Sequence, residues 1–143
     1  MRHLNLASAG WQESGAFLLG SIDDDGGRHM ASFVPYDQLD VAALHEQSVR
    51  VRTAAFSRLY DICAERGQRV VADVHAHPRS AWPSGIDKAN PMLAVAGHLA
   101  LIVPNYASLP VRLEQMTVNV YLGPGQWLTA SGREVNKHLE IST

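Results

Sequence analysis

The run Val70-Val71-Ala72-Asp73-Val74, leading directly into His75-Ala76-His77-Pro78, constrains this chain more than any other segment. A short, nearly all-apolar stretch rich in β-branched residues reads as a buried strand. Residues two apart on a strand point to one face, so His75 and His77 direct both imidazoles at one point. Proline cannot continue a central ladder, which ends the strand at Pro78 and leaves the pair at its C-terminal edge. A single strand histidine is more often a hydrogen-bonded structural residue than a ligand. Two at this spacing, after such a strand, shift the reading toward a metal.

A few residues later, Ser84-Gly85-Ile86-Asp87 brings a carboxylate back. Two imidazole nitrogens and one carboxylate oxygen suit zinc and leave a fourth position open to water, as catalytic zinc sites do. Serine followed three residues later by an acid is also a helix-capping pattern. The two roles are compatible, with Ser84 capping a short helix that presents Asp87. His-x-His by itself is a weak signal, shared with cupins, amidohydrolases and phosphoesterases. The 143-residue length falls short of the roughly 250 residues of a (β/α)₈ barrel, which lowers the amidohydrolase reading. Asp73 shares the parity of the histidines; it either orients an imidazole or pairs with the long helix that precedes the strand. His98 reads as structural, and His3, His29, His45 and His138 have no partner pattern.

The rest of the chain switches between strand and helix periods, with no repeat and no low-complexity linker. Residues 16–22 form an apolar run, Asp25-Gly26-Gly27 offers a hairpin turn, and residues 30–34 return as its partner, closed by Pro35. Val51, Ala55, Leu59 and Ile62 recur at helical spacing. That helix begins between Gln38 and Ser48 and is capped by Gly67. Residues 99–103, stopped by Pro104, and residues 115–122 are further strands. Gly123-Pro124-Gly125 turns the chain into Trp127-Leu128, and a short helix or turn lies over residues 132–138. Strands mixed with one long helix predict a single compact α/β (α+β) domain over residues 1–143.

Composition narrows the function. With 46% hydrophobic and 18% charged residues the chain has the balance of a globular protein, and a net charge of -2 speaks against a nucleic-acid binder. The lone Cys63 permits no internal disulfide and reads as a small core residue in a reducing compartment. Residues 1–5 lack the apolar region of a signal peptide, and no stretch approaches the length of a membrane span. A cytoplasmic location with no membrane contact is expected.

At this point the sequence resembles the JAMM (MPN+, or JAB-domain) metallopeptidases, whose motif is an upstream Glu, then His-x-His-Pro, then Ser-x-x-Asp. Here these are Glu13, then His75-Ala76-His77-Pro78, then Ser84-Gly85-Ile86-Asp87. The Glu13-Ser14-Gly15-Ala16-Phe17-Leu18-Leu19-Gly20 segment has the family's form of a glutamate at the start of a strand that runs into a glycine. The resemblance spans residues 13–127. The loop from Pro78 to Pro83 is one residue shorter than the family's usual seven. Without large insertions, and with Ile86-Asp87-Lys88-Ala89-Asn90-Pro91-Met92 and Gly97-His98-Leu99 in place, the chain is similar to the compact bacterial branch. Some members of that branch resemble companions of ubiquitin-like conjugation operons.

The resemblance implies an MPN/JAB domain, a central mixed sheet flanked by one long helix and shorter ones. It also implies one catalytic Zn²⁺ held by His75, His77 and Asp87. Glu13 would be the general base, and Ser84 a hydrogen-bond donor to the oxyanion. The implied activity is a deubiquitinase-like isopeptidase or peptidase, cutting after the C-terminal glycine of a ubiquitin-like protein. Its partners would be that protein or its conjugates, with E1/E2-like companions. Hydrolysis of a small amide or sulfur-carrier adduct is the next reading, and a non-catalytic MPN scaffold the one after. Taken alone, Glu13 would read as an exposed strand-start glutamate. Glu46 and Glu65 look like solvated charges, Trp82 is placed to line a substrate groove, and Trp127 reads as core.

Overall fold

The computed structural model describes residues 1–142. The chain folds as a compact α+β domain with one six-stranded mixed sheet in the order β2-β1-β3-β4-β5-β6. A short helix α1 (Arg2–Ser8) precedes β1 (Ser14–Ile22) and β2 (Arg28–Pro35), which form the expected hairpin. After α2 (Tyr36–Leu39) come α3 (Thr53–Arg66), β3 (Arg69–Ala76), α4 (Gly85–Ala89) and β4 (Leu99–Val103). The last two strands are β5 (Thr117–Gly123) and β6 (Gln126–Ser131), followed by a 3-10 turn over Gly132–Lys137. The sheet is antiparallel except for β3 and β4, which run parallel. Parallel neighbours need a long crossover, and residues 77–98 supply it, carrying α4 past the C-terminal end of β3.

Alternation along the strands gives each sheet face its own core. Ala16, Val74, Ala76, Leu101, Val103 and Val118 pack on one face with Leu4 of α1. Phe17, Leu19 and Val34 pack on the other with Tyr36, Leu59 and Cys63. Cys63 is buried, as its sequence context suggested. Asp73 and His75 alternate with Val74 and Ala76, so they point to the α3 side. Gly67 ends α3 in the left-handed conformation (φ 61°), its amide bonded to the Ala64 carbonyl and that of Gln68 to the Cys63 carbonyl. Only glycine adopts this conformation freely.

The start of α3 corrects the sequence expectation. The helix begins at Thr53, not between Gln38 and Ser48, and Val51 lies outside it. Asp40 explains the shift. Its carboxylate accepts hydrogen bonds from the Arg52 side chain through Nε and Nη2 (both 2.7 Å), from the Arg52 amide (3.1 Å) and from the Ala42 amide (3.0 Å). This clamp closes residues 40–52 into a loop braced by a bridge between Leu44 and Val49. The Arg52 contact, with the backbone amides, holds the Asp40 carboxyl well below the usual carboxylate range. Helix α1 has no side-chain cap to announce it in the sequence. Ser14 Oγ donates to the Leu4 carbonyl (2.8 Å), and Ser8 Oγ lies 2.7 Å from Ser14 Oγ, which tie α1 to β1.

Candidate metal centre

The site lies at the C-terminal end of β3, where three separate stretches of chain meet. Strand β3 delivers His75. His77 follows one residue past the strand, held extended because its amide donates to the Val103 carbonyl (2.9 Å) and its carbonyl accepts from the Tyr106 amide (2.8 Å). The two imidazoles converge as the period-two spacing predicted, with Nε2 atoms 3.1 Å apart and both residues nearly fully buried.

Glu13 enters from the residue just before β1. It is only 5% exposed, which rules out a merely exposed strand-start glutamate. Its amide donates to the His45 carbonyl (2.8 Å) in the loop that the Asp40–Arg52 clamp closes. Its Oε1 lies 3.9 Å from His77 Nε2, and its Oε2 is buried with no hydrogen-bond partner among the described residues. A buried carboxylate oxygen without a partner is costly. Burial raises the Glu13 carboxyl above its ordinary value, while the His77 and His75 imidazoles pull the other way.

Asp87 arrives on α4. Ser84 caps this helix in a full capping box: Ser84 Oγ accepts from the Asp87 amide (3.1 Å), and Asp87 Oδ2 accepts from the Ser84 amide (2.6 Å). The cap sets the aspartate's direction, with Oδ1 3.4 Å from His75 Nε2 and Oδ2 3.2 Å from His77 Nε2. Burial would raise the Asp87 carboxyl, but the His75 and His77 imidazoles outweigh it and hold it far below the carboxylate range. The shorter loop therefore still brings Asp87 to both histidines.

The structure thus brings Glu13, His75, His77, Ser84 and Asp87 together. Glu13, His75 and His77 offer ligand atoms within 4.8 Å of one another, and this buried group can hold a metal ion.

Behind the histidines lies a second layer that the sequence only hinted at. Asp73 is fully buried. It pairs not with α3 but with His98, whose Nε2 donates to Oδ1 (2.6 Å), and with Tyr36, whose hydroxyl donates to Oδ2 (2.9 Å). The same Oδ2 stands 3.9 Å from His75 Nδ1. Tyr36 can lie there because residue 15 is glycine; a Cβ at that position would collide with the Tyr36 ring and the Val74 carbonyl. Burial works against a charged His75, but the Asp73 and Asp87 carboxylates outweigh it and push the imidazole up to about 10.

A cleft beside His75 and Asp87 is walled by Val49, Asn90, Met92 and Trp127. Trp127 corrects the expectation of a core residue. Its Nε1 donates to the Lys88 carbonyl (3.1 Å), so the ring fastens β6 to α4 at the cleft wall. Trp82 stands 58% exposed in the loop between the candidate ligands.

Among the described residues no helix is long and apolar enough to cross a membrane. No family model matches the chain. It is similar to the solution structure of protein DSY2949 from Desulfitobacterium hafniense, with a TM-score of 0.67 and 15% identity over 92% of this chain and 85% of that one. It is also similar to the solution structure of a protein from Salinibacter ruber, with a TM-score of 0.51 and 25% identity over 83% of this chain and 74% of that one. These likenesses bear on the fold and bring no activity with them.

Proposed function

We propose that the protein is a JAMM-type zinc metallopeptidase that cleaves an amide or isopeptide bond after the C-terminal glycine of a ubiquitin-like protein. The observation that carries this reading is the convergence of His75, His77 and Asp87 beside the buried carboxylate of Glu13, whose Oε2 has no hydrogen-bond partner among the described residues. Two nitrogens about 2.0–2.1 Å from one tetrahedral zinc lie about 3.3 Å apart. The separations among His75 Nε2, His77 Nε2 and the Asp87 oxygens are 3.1, 3.2 and 3.4 Å. Glu13 stands farther off at 3.9 Å from His77, which suits a base beside the ligands better than a ligand.

When bound, zinc supplies Lewis acidity and makes a neighbouring water acidic near neutral pH. Glu13 accepts a proton from the attacking water and returns it to the leaving amine, and its raised carboxyl pKa brings it closer to a neutral-pH base. Asp73 braces His75 from behind. The Ser84 hydroxyl accepts from the Asp87 amide through its lone pairs, which leaves its proton free to donate to the developing oxyanion. Replacing Ser84 with alanine is expected to lower turnover about 100-fold with zinc retained, on top of about 1 kcal/mol of lost stability from the missing cap. Denaturant unfolding and steady-state kinetics on the same variant read both. Lost stability with turnover unchanged would reduce Ser84 to a cap.

The test of the whole reading is a substrate panel. The zinc-loaded full chain is offered ubiquitin-like proteins extended past their terminal glycine, isopeptide-linked conjugates, and small amides. Cleavage after the glycine, abolished by a chelator and restored by zinc, is the expected result. Cleavage of small amides alone would move the substrate to a metabolite or a sulfur-carrier adduct. Zinc bound with no cleavage of any substrate would leave a metal-holding scaffold. A ubiquitin-like modifier and the E1/E2-like components of its conjugation system are the partners this function calls for.

A further inference from the structure

The end of the sheet opposite the metal centre holds a second cleft, of about 340 Å³, within the range of small-molecule sites. It lies where β1 ends, β2 and β3 begin, and the chain enters β4. Ile22, Val70, Leu93 and Val95 give it an apolar wall, and Tyr60 of α3 stands half-exposed at its rim. Its charged lining is of one sign. Arg28 and Arg69 supply its charge, and it has no aspartate or glutamate.

Arg28 is a fixed part of this cleft. Its guanidinium donates to the Val71 carbonyl (2.5 Å) and to the Gly97 carbonyl (2.6 Å). Val71 sits at the irregularity between β1 and β3, where a carbonyl is left outside the ladder. Among the described residues the ion pairs include neither Arg28 nor Arg69. Burial, and after it the charge of Arg69, lower the Arg28 guanidinium from its ordinary value. A half-buried cation beside a second cation, with no counter-ion, is costly, and an anion placed between them recovers that cost. Gln68 accepts from Ser32 through Oε1 (2.5 Å), so its amide N–H groups remain available as donors.

We infer that this cleft binds a small anion carrying an apolar or aromatic body, its phosphate or carboxylate held between Arg28 and Arg69 and its body against Tyr60, Leu93 and Val95. Guanidinium forks suit both planar carboxylates and phosphate monoesters. The site shares no lining residue with the candidate metal ligands, so it stands whether or not the chain is a peptidase.

Four probes separate the possibilities in amide-detected NMR titrations of the full chain: adenosine monophosphate, naphthoate, inorganic phosphate and uncharged adenosine. The expected result is saturable shifts confined to residues around Ile22, Val70, Gly97 and His98 with an organic anion, weaker ones with inorganic phosphate, and none with adenosine. The organic anion that saturates first tells phosphate from carboxylate. Arg69 is exposed and its side chain makes no hydrogen bond among the described residues, so Arg69→Ala keeps the fold while weakening binding about tenfold. Arg69→Lys should recover part of it. Equal shifts from adenosine, shifts scattered over all surface arginines, unchanged affinity in Arg69→Ala, or no localised shift from any probe at millimolar concentration would each overturn the inference.

Discussion

Replacing His77 with alanine is expected to abolish zinc binding at the proposed metal site. The parent, purified without a tag and reconstituted, should carry about one zinc per chain, and the variant less than about a tenth of that. The expectation rests on geometry: His77 Nε2 stands 3.1 Å from His75 Nε2 and 3.2 Å from Asp87 Oδ2. Removing it leaves one nitrogen and one carboxylate. If zinc binds the folded chain at this site, added zinc should also raise the parent's unfolding temperature and leave the variant's unchanged. The dependence on pH has a definite sign. His75 in the metal-free protein holds its proton up to about 10, and an imidazolium offers no lone pair. Zinc must displace that proton, so affinity rises with pH, about tenfold per unit across the neutral range. Competition with a chromophoric chelator at about pH 6, 7 and 8 measures the slope. A flat profile would mean that His75 is already neutral in the apo protein. A full zinc complement in His77→Ala would remove His77 from the ligand set.

What the sequence made legible divides along physical lines. The convergence of His75 and His77 follows from strand parity alone, and the capping box of α4 from Ser84 and Asp87 three residues apart. Both are local rules, and both hold in the structure. The burial of Glu13 is not local. It depends on a loop whose closure is set by Asp40 and Arg52, twelve positions apart, and on a carbonyl of His45. No periodicity announces these, and only the family resemblance singled Glu13 out. The same clamp displaced the start of α3, because side-chain capture of Arg52 overrode the helical spacing of Val51. Asp73 was conspicuous as the one charge in an apolar strand, yet its partners Tyr36 and His98 meet it only once the sheet has formed. Trp127 looked like core because a large aromatic beside an alternating strand usually is. It became a wall instead because β6 is an edge strand and α4 lies within reach of its indole.

Changing Glu13 to glutamine is expected to leave zinc content near one per chain and to lower turnover by about 10²–10⁴-fold, the usual contribution of a positioned general base. The substitution keeps volume and shape in a buried site and removes only the capacity to accept a proton. It also decides between the two carboxylates that approach the histidines. Glu13, His75 and His77 form one compact set of potential ligand atoms, whereas His75, His77 and Asp87 have the closer mutual contacts. If Glu13 is a ligand, the glutamine variant loses zinc and activity together, and adding zinc in excess restores part of both. If Glu13 is the base, zinc stays and turnover alone collapses, whatever the zinc concentration. Asp87→Asn is a poorer discriminator, because Asp87 also caps α4 and its loss perturbs the helix along with the metal. Glu13 carries no such second duty: its Oε2 has no hydrogen-bond partner among the described residues. Full turnover in Glu13→Gln, with zinc bound, would take Glu13 out of the mechanism and leave its burial without a catalytic reason.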